Sequence, residues 1–136
     1  MIERRNFAHS VGSIPLARRF VEAAFHEAPR EIAERAAVMA SELATNAVRH
    51  ARSDFVVQIE TTPVSIRVEI TDTGAGSPTV RDLGARAPSG RGLRIVNSLA
   101  DEWGVIPHTT GPGKAVWFWL FLATSNGEQP PLSLRC

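Results

Sequence analysis

Polar and apolar residues change their period several times along this chain, and each change marks an element. Leu16, Phe20, Ala23 and Ala24 recur at helical spacing with charges between them, so a helix is expected from Leu16 to Ala28. Ser13-Ile14-Pro15 precedes it and predicts a start with Ser13 as the cap and proline near the first turn. Pro29 interrupts the pattern. Ile32, Ala36, Met39, Leu43 and Ala47 then recur at intervals of four, three, four and four, which is one apolar stripe of a second helix from about Glu31 to His50.

Past His50 the period falls to two. Phe55, Val57 and Ile59 alternate with Val56, Gln58 and Glu60, a weak strand signature because Val56 is apolar too. Ile66, Val68 and Ile70 alternate cleanly with Ser65, Arg67 and Glu69, the pattern of a half-buried strand. Thr62-Pro63 between the two runs reads as a hairpin turn. From Asp72 to Gly92 glycine, proline and small polar residues predict a long loop, and long loops in compact domains are usually functional. Leu93 to Ala100 is expected as a short helix with Leu93, Val96 and Leu99 on one side. Trp103 to Ile106 and Lys114 to Leu122 read as two strands around Gly111-Pro112-Gly113, and a short strand is expected around Arg5 to His9. Antiparallel strands with helices between them predict an α+β fold, a two-layer sandwich with helices covering one face of the sheet. Residues 1–123 are expected to form one domain, followed by a polar tail, 124–136, that contains two adjacent prolines and frays.

Composition narrows the class. A length of 136 residues fits one domain, and 43% hydrophobic residues are too many for a disordered chain. Fifteen basic against fourteen acidic residues leave a net charge of +1, which gives no argument for a nucleic-acid or membrane surface. The only cysteine, Cys136, excludes an intramolecular disulfide. Arg4, Arg5, Arg18 and Arg19 are not followed by the apolar run of a signal peptide, and Ala115 to Ala123 falls far short of the ~20 residues of a membrane span. A soluble, cytoplasmic domain is expected.

Three segments carry candidate chemistry. In the second helix Glu42, Asn46 and His50 are four residues apart, each ~40° further around the axis, so they project from one side with Arg49 close by. A carboxylate and a carboxamide one turn apart suit magnesium, which takes few protein ligands and fills the rest with phosphate and water. The carboxylate is equally able to orient and deprotonate a nucleophile. Asp72-Thr73-Gly74-Ala75-Gly76 follows the best strand, where glycines let the backbone approach a planar ligand and the aspartate accepts from an amino group such as that of adenine. Gly90-Arg91-Gly92-Leu93 opens a helix, whose amides and dipole favour phosphate. Taken singly, each of the three is as well explained by a solvated helix edge or a glycine turn.

Other nucleotide and metal motifs fail on spacing. Gly111-Pro112-Gly113-Lys114 is not a P-loop, because His108 stands five before Gly113, Ala115 follows the lysine and a strand follows instead of a helix. The segment from Gly90 to Ile95 lacks the third glycine of a dinucleotide fingerprint. His9, His26, His50 and His108 show no zinc-ligand spacing.

Taken in order, these segments resemble the histidine-kinase-like (GHKL) ATPase superfamily. Glu42-Leu43-Ala44-Thr45-Asn46-Ala47-Val48-Arg49-His50 looks like its asparagine box, Asp72 to Gly76 like its first glycine box, Gly90 to Leu93 like its second, and Gly113-Lys114-Ala115-Val116-Trp117 like its closing strand. The likeness runs from roughly Ser13 to Leu122. Within the superfamily the chain is most similar to bacterial anti-sigma-factor serine/threonine kinases. It is about the size of one such domain, and only thirteen residues separate Gly76 from Gly90, which implies a short lid. About twelve residues precede the first helix, too few for the phosphoacceptor hairpin of a histidine kinase.

The resemblance implies the Bergerat fold with ATP and magnesium between the helical layer and the lid at 77–89. It makes Asn46 the magnesium ligand and Glu42 the general base, or the residue that orients an attacking hydroxyl. Asp72 would read the adenine amine, Gly74 and Gly76 would shape that wall, and Gly90, Arg91, Gly92 and Leu93 would line the phosphate side. Arg49 and His50 belong to the same nucleotide-binding set, His50 being equally well read as a packing or helix-end residue. Arg81, Arg86 and Arg91 each suit support of the γ-phosphate. The implied partners are a sigma factor, bound by the protein, and an anti-anti-sigma (STAS-type) protein that it phosphorylates; a homodimer is the common assembly, with no direct contact to nucleic acid or membrane. A non-catalytic ATP-binding regulatory module and a scaffold with motif-like residues are the alternatives, and Glu42 favours the kinase because nucleotide binding alone needs no base.

Overall fold

Period-two alternation becomes a five-stranded antiparallel sheet, and the apolar stripes become helices laid on one of its faces. The computed structural model describes residues 1–74 and 88–122. The elements are β1 (Ile2–Phe7), α1 (Ser13–Ala24), α2 (Arg30–Asn46), a π-helical turn (Ala47–Ala51), β2 (Phe55–Thr61), β3 (Ser65–Asp72), α3 (Pro88–Leu99), β4 (Glu102–Pro107) and β5 (Lys114–Phe121). Sheet order is β1-β2-β3-β5-β4, every neighbouring pair antiparallel. The expected α+β two-layer sandwich is the fold observed.

Strand phase decides where the core lies. Phe55, Val57 and Ile59 of β2, Ile66, Val68 and Ile70 of β3, and Val116, Phe118 and Leu120 of β5 are buried toward the helices. Burying a side chain of this size contributes about 1.5–3 kcal/mol. α2 lies between α1 and α3 and touches both. It buries Ile32, Ala36, Met39, Leu43 and the following Ala47, the stripe read from the sequence, together with Ala37, Ala40 and Ala44. The β2–β3 turn is closed by Thr62, whose hydroxyl accepts from the amides of Val64 (3.3 Å) and Ser65 (3.0 Å).

Several boundaries differ from the sequence expectation. β1 runs over Ile2–Phe7 instead of Arg5 to His9, because all six residues pair with β2, Phe7 opposite Phe55. α1 ends at Ala24, not Ala28, and Ser13 is not its cap. Gly12 holds the cap position, and Ser10 already supplies the local acceptors, its hydroxyl to the Gly12 amide (3.2 Å) and its carbonyl to the Ser13 amide (3.0 Å). The buried stripe of α1 is Ser13, Ala17, Phe20 and Val21, while Leu16 is 51% exposed. The α2 segment does not continue as an α-helix to His50: its last turn widens into the π turn, and Arg52 ends it in the left-handed region (φ 56°). α3 starts at Pro88, five residues before the expected Leu93, with proline in the first helical position, where its missing N–H costs nothing.

Among the described residues, no helix is long and apolar enough to cross a membrane.

Candidate functional site

β3 delivers Asp72. The residue is in phase with Ile66, Val68 and Ile70, so its carboxylate is carried to the helix-covered face, where it is 4% exposed. A lone carboxylate there would cost several kcal/mol. Lys114, the first residue of β5 and the direct cross-strand partner of Asp72, supplies the opposite charge: Nζ donates to Oδ2 at 2.9 Å, and Lys114 is itself 5% exposed. The Gly74 amide donates to Oδ1 at 3.2 Å.

Two glycines make this arrangement possible. A Cβ on Gly74 would overlap the carbonyl of Ala51, so the segment after β3 runs directly against the end of the π turn. The close approach that a glycine permits here is to the protein's own backbone. Gly113 has φ 107°, and a Cβ there would overlap the Asp72 carbonyl, so this glycine lets the start of β5 close over the end of β3. The Thr73 amide donates to Ser53 Oγ (3.1 Å), a second tie between the two segments.

The helix side of the site is α2 and the π turn. Asn46 is the last α-helical residue and is 7% exposed; Glu42, half-buried, lies one turn earlier on the same side. His50 does not follow them around as a continuous α-helix predicts. A π turn takes more residues per turn, so four residues no longer complete one. Arg49 is exposed and His50 half-exposed, both in the last turn, where the Arg49 guanidinium complements the helix dipole. His9 clamps this turn. Its Nε2 donates to the Val48 carbonyl (2.8 Å), and its backbone amide donates to Asp54 Oδ1 (2.7 Å).

Gly90, Arg91, Gly92 and Leu93 lie within α3 instead of ahead of it. The first amides of a helix are those without an intrahelical acceptor, and here they belong to Ser89 and Gly90. Leu93 is buried (4% exposed) with Val96, and α3 is tied to α2 by Arg35 Nη1, which donates to the Leu99 carbonyl (3.2 Å). Gly76, Arg81 and Arg86, residue 123 and the tail, 124–136, lie outside the described residues.

Asp72, Gly74 and the π turn that continues from Asn46 thus meet at one end of the sheet, with α3 alongside α2. Sequence reading missed Lys114, which it weighed only as a P-loop lysine and as part of the closing strand. The signal was there: Lys114 is in phase with Val116, Phe118 and Leu120, a charge in a core position. Among the described residues there is no cluster of three or more histidine, cysteine, aspartate or glutamate side chains able to hold a metal ion.

No curated protein matches the chain. A solved structure of the RsbU and RsbW domains of a Mycobacterium tuberculosis protein has a similar fold, with a TM-score of 0.69 at 17% identity over 90% of this chain. The chain spans 32% of the length of that one. The family model for the histidine kinase-like ATPase domain matches residues 7–119, nearly all of the sandwich. That match establishes that the chain belongs to the histidine kinase-like ATPase domain family.

Proposed function

We propose that this domain binds ATP with magnesium and acts as an anti-sigma-factor-type serine/threonine kinase. The observation that carries the nucleotide reading is Asp72, a buried carboxylate at the end of a central strand, fixed by Gly74 and Lys114. A fixed acceptor of this kind suits an amino group on a planar base. Asn46 and Glu42 are oxygen donors on one side of α2, and their small number suits magnesium, which keeps phosphate and water in most positions. Bound magnesium would supply neutralisation of phosphate charge.

In this reading Asn46 holds the metal, Asp72 accepts from the base, and Gly90, Arg91 and Gly92 at the start of α3 face the phosphates. Glu42 accepts the proton of an attacking serine or threonine hydroxyl, or orients it. The partners are a sigma factor that the protein binds and an anti-anti-sigma (STAS-type) protein that it phosphorylates. The solved structure that shares the fold is of RsbU and RsbW domains, and an RsbW-type role is the one proposed for this chain.

The test is isothermal titration with ATP, with and without magnesium. Binding that requires magnesium is expected. No binding under either condition would overturn the nucleotide reading and leave a domain that acts by protein contact alone.

A further inference from the structure

We infer that Lys114 is a second base-reading residue, its ammonium donating to the ring nitrogen N1 of adenine while Asp72 accepts from the neighbouring amino group. The inference rests on the adenine-nucleotide reading above and deepens it. Three observations carry it. Lys114 and Asp72 are direct cross-strand partners, so the β3–β5 ladder holds their backbones opposite each other and the 2.9 Å contact joins their side chains. Both are buried on the helix-covered face, with side chains 7% and 6% exposed, so the order of donor and acceptor is held in place. Finally, an ammonium carries three N–H donors. Asp72 takes one at 2.9 Å, and among the described residues it is the hydrogen-bond partner of Lys114.

The pair matches one base edge. Adenine presents an amino donor beside a ring-nitrogen acceptor, which is the complement of a carboxylate beside an ammonium. Guanine presents a carbonyl where adenine has the amine, and an N–H at ring position 1. In the same seat its carbonyl would face Asp72 and its N–H would face Lys114, and buried polar groups that meet like groups are strongly disfavoured. A single aspartate tests one of these positions; the Asp72–Lys114 pair tests both. Such a role also explains a lysine at a core position, where a methionine of similar length would pack without needing a counter-charge.

The experiment is titration of the whole protein with ATP, 7-deaza-ATP and 1-deaza-ATP in the presence of magnesium, for the parent and for Lys114→Met. The second analogue lacks only the N1 acceptor, and the first keeps both it and the amine. The parent is expected to bind ATP and 7-deaza-ATP alike and 1-deaza-ATP roughly tenfold or more weakly, as loss of a bond to a charged group predicts. In Lys114→Met the ratio should collapse toward one. Equal affinity of the parent for ATP and 1-deaza-ATP would overturn the role of Lys114 while the adenine site stands, as would an unchanged ratio in Lys114→Met. No binding of any of the three to the parent would overturn the adenine reading itself, and this inference with it. Should Lys114→Met not fold, a crystal structure of the parent with ATP decides. Nζ within about 3.2 Å of N1 supports the assignment, and a water or another side chain between them overturns it.

Discussion

Asp72 and Lys114 stand opposite each other in the ladder between β3 and β5 and join in a 2.9 Å ion pair beneath the helical layer. Neither residue is placed by its own preference, since both charges are nearly excluded from water. They are placed by phase: Asp72 two residues beyond Ile70, Lys114 two before Val116. The sheet therefore ends on its covered face in a fixed acceptor and a fixed donor instead of another apolar pair.

Breaking the pair from one side should be costly. Lys114→Met removes the ammonium that the buried Asp72 carboxylate meets at 2.9 Å and is expected to lower the unfolding free energy by about 3–5 kcal/mol. Asp72→Asn together with Lys114→Met should lose clearly less, because no buried charge remains. Urea unfolding of the two single variants and the double one measures the coupling. A loss below ~1 kcal/mol in Lys114→Met would mean that the carboxylate is solvated once the lysine is gone.

Gly74→Ala tests the crossing of the segment after β3 and the π turn. The added Cβ meets the Ala51 backbone carbonyl, which cannot swing away as a side-chain end can. A loss of about 1–3 kcal/mol is expected, the range for overpacking. Gly111→Ala is the comparison: its φ is positive, 93°, but nothing lies within 4 Å of its Cβ position, so only backbone strain of about 1 kcal/mol is expected there. Thermal unfolding of both variants checks the order; equal midpoints would mean that the Ala51 contact relaxes without cost.

The sheet was legible because Ile66, Val68 and Ile70 alternate with polar residues, and the period of two admits one face or the other. The core face of α2 was legible for a similar reason, five apolar residues at helical spacing. Where two stripes share a residue, as the exposed Leu16 and the buried Ala17 both do with Phe20, periodicity does not choose between them; packing against α2 does. The π turn was not legible. It depends on one shifted hydrogen-bond register and on the His9 contact to Val48, a residue 39 positions away. The start of α3 was hidden by Gly90 and Gly92, poor helix formers that here sit in its first turns. In the candidate site, Asp72 and Gly74 were singled out by motif, whereas Lys114 was passed over because its lysine was compared with phosphate loops and not with the phase of its own strand.

Asn46→Ala separates metal binding from folding. Asn46 ends α2, and the carboxamide is expected to hold magnesium through its oxygen. The variant should lose magnesium-dependent ATP affinity by about tenfold or more, ~1.4 kcal/mol, with the far-ultraviolet circular dichroism of the parent retained. Calorimetry with ATP at fixed magnesium measures it. Unchanged affinity in a folded variant would remove Asn46 from the metal site and shift attention to the half-buried Glu42.

Glu42 distinguishes a kinase from a nucleotide-binding module. It lies one turn before Asn46 on the same side of α2 and is half-buried, a position from which a carboxylate can take a proton without holding the base. Glu42→Ala is expected to keep ATP affinity within about threefold, less than 1 kcal/mol. Phosphoryl transfer to a STAS-type domain, followed by mass spectrometry of its serines and threonines, should fall by roughly 100-fold or more, the usual worth of a positioned base. Undiminished transfer would take Glu42 out of the chemistry. A parallel loss of binding and transfer would make it a ligand-holding residue, since a group needed only in the transition state changes the rate and leaves the ground-state complex alone.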